Sequence, residues 1–197
     1  METKKCRELG DYYFSKNDFA SAKKYYELAT QDNDKDAMLK LGDLYLFGSE
    51  IKQDHIKAKE YFEKAASLKN YKAYSKLGYL YLYGKGVEID YNKAKEYFLK
   101  GESKDDDESI FNLANIYQKG LGVEKDISKA IHLLELCALK NNSNAYLNLG
   151  FIYLNGDEVK QDLSNAFLYF QASARLGNET AKEMINKFTI LLNILSL

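Results

Sequence analysis

Gly84-Lys85-Gly86 is the arrangement in this chain that invites a phosphate-binding reading. A P-loop needs a strand, then G-x-x-x-x-G-K-[ST], then a helix whose N–H groups face the phosphates. Here the preceding stretch reads as helix and the glycine spacing is wrong. The positions equivalent to Lys85 in three sister segments hold Ser49, Leu121 and Asp157, so the lysine is not kept between equivalent turns. The segment is expected to be a turn. Other chemistry is equally thin. His55 and His132 lack zinc-like spacing and are expected at the surface, His55 at a helix start. Cys6 and Cys137 fall in different segments and are expected to remain free thiols. The run Lys104-Asp105-Asp106-Asp107-Glu108 lacks the spaced ligands, glycine and distal glutamate of a calcium loop. Its acids suit a helix start, where negative charge is favoured. No Ser/His/Asp or Cys/His arrangement can be argued, and no metal or cofactor is expected.

Composition points the same way. The 197 residues carry 28 Lys+Arg and 29 Asp+Glu, a net charge of −1, without the basic excess of a dedicated nucleic-acid binder. The 17 tyrosines could form stacking platforms for single strands, but most recur at core-like positions, so nucleic acid is not expected as a partner. Proline is absent, and Ala, Leu, Lys, Glu and Tyr dominate, which favours helix. The first residues lack the apolar core of a signal peptide. The apolar C-terminal stretch Phe188–Leu197 falls well short of the roughly 20 residues that span a bilayer. No transmembrane segment and a cytoplasmic location are the expectation.

The elements that would position any site follow from an internal repeat. A step of 36 residues links Leu41-Gly42, Leu77-Gly78, Leu113-Ala114 and Leu149-Gly150. The same step links Tyr45, Tyr81, Tyr117 and Tyr153, and likewise Asp54, Asp90, Asp126 and Asp162. Ala58, Ala94, Ala130 and Ala166 follow, then the bulky pairs Tyr61-Phe62, Tyr97-Phe98, Leu133-Leu134 and Tyr169-Phe170. A shorter opening segment has Leu9-Gly10, Tyr13, Ala22 and Tyr25-Tyr26, with four residues fewer between glycine and alanine. Met38, Leu41, Gly42 and Tyr45 share one helical face, as do Ala58, Tyr61, Phe62 and Ala65. Each repeat therefore reads as two helices, with the aspartate capping the second. The small residue in the first helix implies a neighbouring element that leaves no room for a side chain.

The pattern carried by Leu77, Gly78, Tyr81, Gly84, Gly86, Val87, Asp90, Lys93, Ala94, Tyr97 and Phe98 resembles the Sel1-like repeat, a relative of the tetratricopeptide repeat. Gly122, Val123, Asp126, Lys129 and Ala130 keep it, whereas Glu50 and Glu158 stand where a second glycine is usual. The first segment is similar to the tetratricopeptide form. The resemblance implies an all-α fold: a right-handed superhelix of antiparallel helix pairs, with one tetratricopeptide-like repeat, four Sel1-like repeats and a C-terminal capping helix. The expected organisation is a single repeat domain, 1–197, with repeats 5–36, 37–72, 73–108, 109–144 and 145–180 and a cap at 181–197. Some cysteine-rich secreted members of the family are associated with β-lactamase activity. They carry a cysteine pair in each repeat, which this chain lacks, so that hydrolase reading stays the alternative and no catalytic residue is expected.

The face of the first helices opposite the core holds Lys40, Asp43 and Phe47; Lys76, Tyr79 and Tyr83; Asn112 and Asn115; and Asn148 and Phe151. These positions vary while the core positions hold, as in a frame carrying a binding surface. Exposed aromatics there would anchor a partner, and the asparagines would hydrogen-bond its backbone. A protein or peptide in this concave groove is the expected ligand, with the chain acting as an adaptor, scaffold or dedicated immunity protein. The apolar tail, 185–197, is expected either to fold back as a cap or to pair two chains.

Overall fold

The computed structural model describes residues 2–48, 50–156 and 158–195, with side chains described from Lys4 to Ile190 within those limits. Ser49 and Asp157, two of the positions equivalent to Lys85, lie outside the described residues, as does the end of the tail. Among the described residues all regular structure is helical. The helices are α1 Glu2–Ser15, α2 Phe19–Thr30, α3 Lys35–Phe47, α4 His55–Ser67, α5 Lys72–Tyr83 and α6 Tyr91–Glu102. They continue with α7 Asp107–Lys119, α8 Ile127–Leu139, α9 Ser143–Asn155, α10 Leu163–Arg175 and α11 Glu179–Leu195. The chain divides into two compact units, Met1–Ser109 and Ile110–Leu197.

Local chemistry sets the helix starts. Asp54, Asp90, Asp126 and Asp162 each accept a hydrogen bond from the third backbone N–H of the helix they precede, at 3.0, 3.0, 2.8 and 2.9 Å. Each also donates its own backbone N–H to the carbonyl of the repeat tyrosine, Tyr45, Tyr81, Tyr117 or Tyr153, at 2.9–3.0 Å. The fixed tyrosine-to-aspartate spacing is therefore a backbone tie that folds the loop onto the first helix. Asp106 does the same work before α7, accepting from the backbone N–H and hydroxyl of Ser109 at 3.0 and 2.6 Å.

The first unit packs α1 to α6 in chain order, each helix against the next. At the centre of each pair a bulky ring fills the space left by glycine. A Cβ built on Gly42 would lie 2.3 Å from Phe62 Cε1, and one on Gly78 would lie 2.5 Å from Phe98 Cε1. Gly10 faces Tyr26 in the same way, at 2.5 Å. Phe62, Phe98 and Tyr26 are fully buried. The expected crowding is thus present, and its source is the ring of the repeat's own second helix. In the second unit α9 and α10 form such a pair around Gly150 and Phe170, and α11 packs on α10. Phe188 of α11 sits 5.7 Å from the Phe167 ring and 6.0 Å from Phe170. The described part of the tail therefore packs on α10, as a cap would.

The repeat tyrosines depart from the expectation of a simple core. Tyr45 is buried, but Tyr61, Tyr81, Tyr97, Tyr117, Tyr153 and Tyr169 are only half-buried. They stack across each helix pair: Tyr45 on Tyr61, Tyr81 on Tyr97 and Tyr153 on Tyr169, with ring centroids 5.6–5.8 Å apart. Lys57, Lys93 and Lys129 lie over Tyr45, Tyr81 and Tyr117 at 5.4, 5.2 and 4.1 Å. A phenol keeps its hydroxyl near water while its ring is covered, which explains tyrosine rather than phenylalanine at these places.

Candidate functional site

The glycine-rich turn settles first. Gly84 adopts a left-handed conformation (φ +64°) as the C-cap of α5. The backbone N–H groups of both Gly84 and Lys85 donate to the carbonyl of Leu80. Two of the N–H groups that a phosphate would need are thus already used. A Cβ at Gly86 would lie 2.7 Å from His55 Cβ, so this glycine lets the loop rest on the start of α4. In the equivalent loop Glu158 takes the same left-handed backbone (φ +61°) and pairs with Lys125 at 2.8 Å. His55 corrects the expectation of a surface residue: it is half-buried and its Nε2 is buried without a hydrogen-bond partner. His132 is exposed, and neither Cys6 nor Cys137 is in a disulfide. Among the described residues no group of His, Cys, Asp and Glu side chains could hold a metal. No helix among them is long and apolar enough to cross a membrane.

The proposed binding face of the first unit is an open groove of about 870 Å³. Its walls come from α3, α5 and the turn leading into α7, and include Lys40, Asp43, Tyr71, Lys76, Lys104 and Glu108. Lys76 is half-buried and donates to both Glu108 oxygens at 2.9 and 3.2 Å. Its ammonium also stands 4.0 Å from Asp43 Oδ1. Burial works against the Lys76 charge, but the carboxylates around it, Glu108 first and then Asp43 and Asp106, together outweigh it and the pKa lies above the ordinary lysine value. Burial pushes the Asp43 carboxyl above the usual carboxylate range, partly opposed by Lys76. Asp36, by contrast, is held by Arg7 and by Asn70 Nδ2 at 3.0 Å.

An aromatic ledge borders this groove. Phe47 is 61% exposed and Tyr83 is 53% exposed. Tyr79 lies half-buried between them, its ring 6.5 Å from Phe47 and 4.7 Å from Tyr83. Phe14 extends the ledge at the end of α1, with Lys40 over its ring at 5.8 Å. The repeat register points instead to Ser15, whose hydroxyl is turned back to the Tyr12 carbonyl. Glu108 was also missed, because its role depends on the turn that brings it to Lys76.

In the second unit the expected residues fare less well. Asn112 is buried at 8% exposure and is not a surface donor. The reason is helical geometry: Ser109, Asn112, Leu113 and Ile116 fall at i, i+3, i+4 and i+7, and all are buried. Asn115 accepts a hydrogen bond from Asn148 Nδ2 at 3.2 Å, so these two amides partly satisfy each other. Phe151 is half-buried with its ring set edgewise against Phe170 at 5.2 Å, so it is no exposed anchor. Of the proposed residues, the structure brings together Lys40, Asp43, Phe47, Lys76, Tyr79 and Tyr83.

Stacked helix pairs built around a glycine–ring contact, with variable side chains on the first helices, define a helical-repeat protein. The Sel1 repeat matches the chain at residues 6–34, 35–70, 72–106, 107–142 and 143–178. The chain belongs to the Sel1 repeat family. The opening segment, expected to be tetratricopeptide-like, is included in that match. A Sel1 repeat protein from Oxalobacter formigenes is similar at 27% identity and a TM-score of 0.79, over 91% of this chain and 75% of that one. A protective antigen of uropathogenic Escherichia coli, c5321, is similar at 23% identity and a TM-score of 0.79. That alignment spans 95% of this chain and 41% of the antigen. An immunity protein of Pseudomonas aeruginosa, PA5088, is similar at 17% identity and a TM-score of 0.61, over 88% of this chain and 67% of that one. No curated protein sequence matches the chain.

Proposed function

We propose that the chain is a non-enzymatic interaction module that holds a protein or peptide along the exposed side of its first helices. The observation that carries this reading is the ledge of Phe47, Tyr79 and Tyr83 beside the charged groove of the first unit. Exposed rings on a rigid helical frame anchor partners at low entropic cost, because the frame is already ordered. Kinship supports the reading, since Sel1 repeats typically serve protein–protein contacts. The narrower role of a dedicated immunity or inhibitor protein is supported by the likeness in fold to proteins named as immunity proteins. A bacterial source and a cytoplasmic location go with this proposal.

The test is capture from the native host with the wild-type chain and with a Phe47→Ala/Tyr83→Ala variant. Both side chains are more than half exposed, so the variant should keep its helical content. A partner held by the wild type and lost by the folded variant supports the reading. A partner retained by both moves the site elsewhere. The hydrolase alternative is checked with nitrocefin, where turnover abolished by one side-chain substitution would replace the present reading.

A further inference from the structure

Asp43 is anomalous among the acids of the first unit. Asp34 and Asp54 cap helices, Asp36 is held by Arg7 and Asn70, and Glu108 is held by Lys76 and Ser75. Asp43 accepts no hydrogen bond. Its Oδ1 is buried without a hydrogen-bond partner and is paired only loosely, at 4.0 Å, with Lys76, whose hydrogen bonds go to Glu108. A half-buried carboxylate left without donors is costly in a folded chain. Its side chain is nonetheless 29% accessible, and since Oδ1 is withdrawn from solvent a partner would reach the carboxylate through Oδ2.

The surroundings of Asp43 say what would satisfy it. Besides the groove, Asp43 lines an apolar cleft of about 210 Å³ with Phe14, Phe19, Leu44, Phe47 and Ile51. The cleft lies at the last turns of α1 and α3, where helix carbonyl ends favour positive charge. Two exposed phenyl rings offer their faces to a cation and their area to its aliphatic stem. Lys40 already uses the Phe14 ring in this way, at 5.8 Å. The opposing charges near Asp43 are Lys40 and Lys76, and Lys76 is neutralised by Glu108.

We propose that Asp43 and the Phe14–Phe47 cleft receive a basic side chain, arginine or lysine, from the bound partner. The stem lies on the two rings and the cationic head donates to the carboxylate. This rests on the interaction-module reading and names the chemistry that the module selects. Lys40 competes for the same ring and sets a limit on the affinity.

The experiment uses the full chain, amide NMR, and n-butylguanidinium as the probe against its neutral counterpart n-butylurea. Saturable shifts of the Leu44, Phe47 and Gly48 amides with the guanidinium, at least tenfold weaker with the urea, are expected. Asp43→Asn should abolish that preference while leaving the melting temperature equal or higher. Lys40→Ala should tighten guanidinium binding several-fold. Equal response to the two probes would reduce the cleft to an apolar pocket and overturn the proposal, as would no response at all. Response to glutarate in place of guanidinium would point to an acidic partner and overturn it too. If Phe47→Ala/Tyr83→Ala loses a captured partner but Asp43→Asn keeps it and the probe fails, the interaction reading stands and this one falls. If the probe seats at Asp43 but the captured partner is kept by the Phe47→Ala/Tyr83→Ala variant, the partner lies elsewhere on the chain, and the placing on the ledge and the use of the cleft by that partner fall together.

Discussion

A graft between repeats tests the packing logic. Gly78 is fixed by Phe98: a Cβ there would lie 2.5, 2.7 and 2.8 Å from Cε1, Cδ1 and Cζ of a ring that is fully buried. Ordinary contact begins near 3.4 Å, so ring or helix must yield by most of an ångström. Overpacking of this kind costs about 1–3 kcal/mol. Alanine recovers about 1 kcal/mol of helix propensity over glycine. Gly78→Ala should therefore destabilise by about 0–2 kcal/mol, and Gly78→Val by about 2 kcal/mol or more. For a chain of this size each kcal/mol lowers the melting temperature by roughly 2–4 °C. Another repeat carries alanine and leucine, Ala114 and Leu134, at the same two positions, and both are fully buried. Phe98→Leu alone should leave a void and cost on the order of 1 kcal/mol. Combined with Gly78→Ala, the new methyl fills that void, and the double variant should be more stable than the sum of the single effects by at least about 1 kcal/mol. The assay is urea unfolding followed by circular dichroism over the four-member cycle. Additive effects, or a Gly78→Val variant that melts with the wild type, would refute the packing argument.

Other perturbations have equally definite outcomes. Asp90→Ala removes the α6 cap and should cost about 0.5–2 kcal/mol, read as a lower melting temperature, while Asp90→Asn should recover most of it. Asp43 has a folded-state pKa raised above its unfolded value, so the folded chain binds its proton more tightly. Its ionisation removes stability as pH rises through the carboxylate range, and acidification restores it. Asp43→Asn should thus be at least as stable as the wild type at pH 7, with the gap narrowing as pH falls; a destabilised Asp43→Asn at neutral pH would contradict this. Deleting residues 186–197 uncovers the Phe167 and Phe170 rings that Phe188 covers, and light scattering should then show aggregation. A clean monomer after deletion, from a wild type that is dimeric, would assign the tail to pairing.

The helix pairs were legible because local rules fix them. Aspartate at a constant offset caps each second helix, and the Leu77-Gly78 type of step, paired with the bulky Phe98, declares a close crossing. The turn at Gly84-Lys85-Gly86 was legible for the same reason, as positive backbone angles and short-range ties are properties of a few adjacent residues. The binding face was only partly legible. Counting helical positions put Asn112 outside, yet the stripe through Ser109, Leu113 and Ile116 is wide enough to include it. The same count points to Ser15 and misses Phe14, because Phe14 is placed by its contacts with Phe19 and Lys40 rather than by its register.

What the sequence by itself determined is the repeat, its helices, its caps and the pairing of a small residue with a bulky one. These depend on spacing along the chain, and spacing is what a sequence records. Only the tertiary structure decided that Lys76 belongs to Glu108, that Phe151 leans on Phe170, and that Asp43 is left without a donor beside two phenyl rings. Those outcomes depend on which side chains from separate helices come within a few ångströms, and on how far each is withdrawn from water.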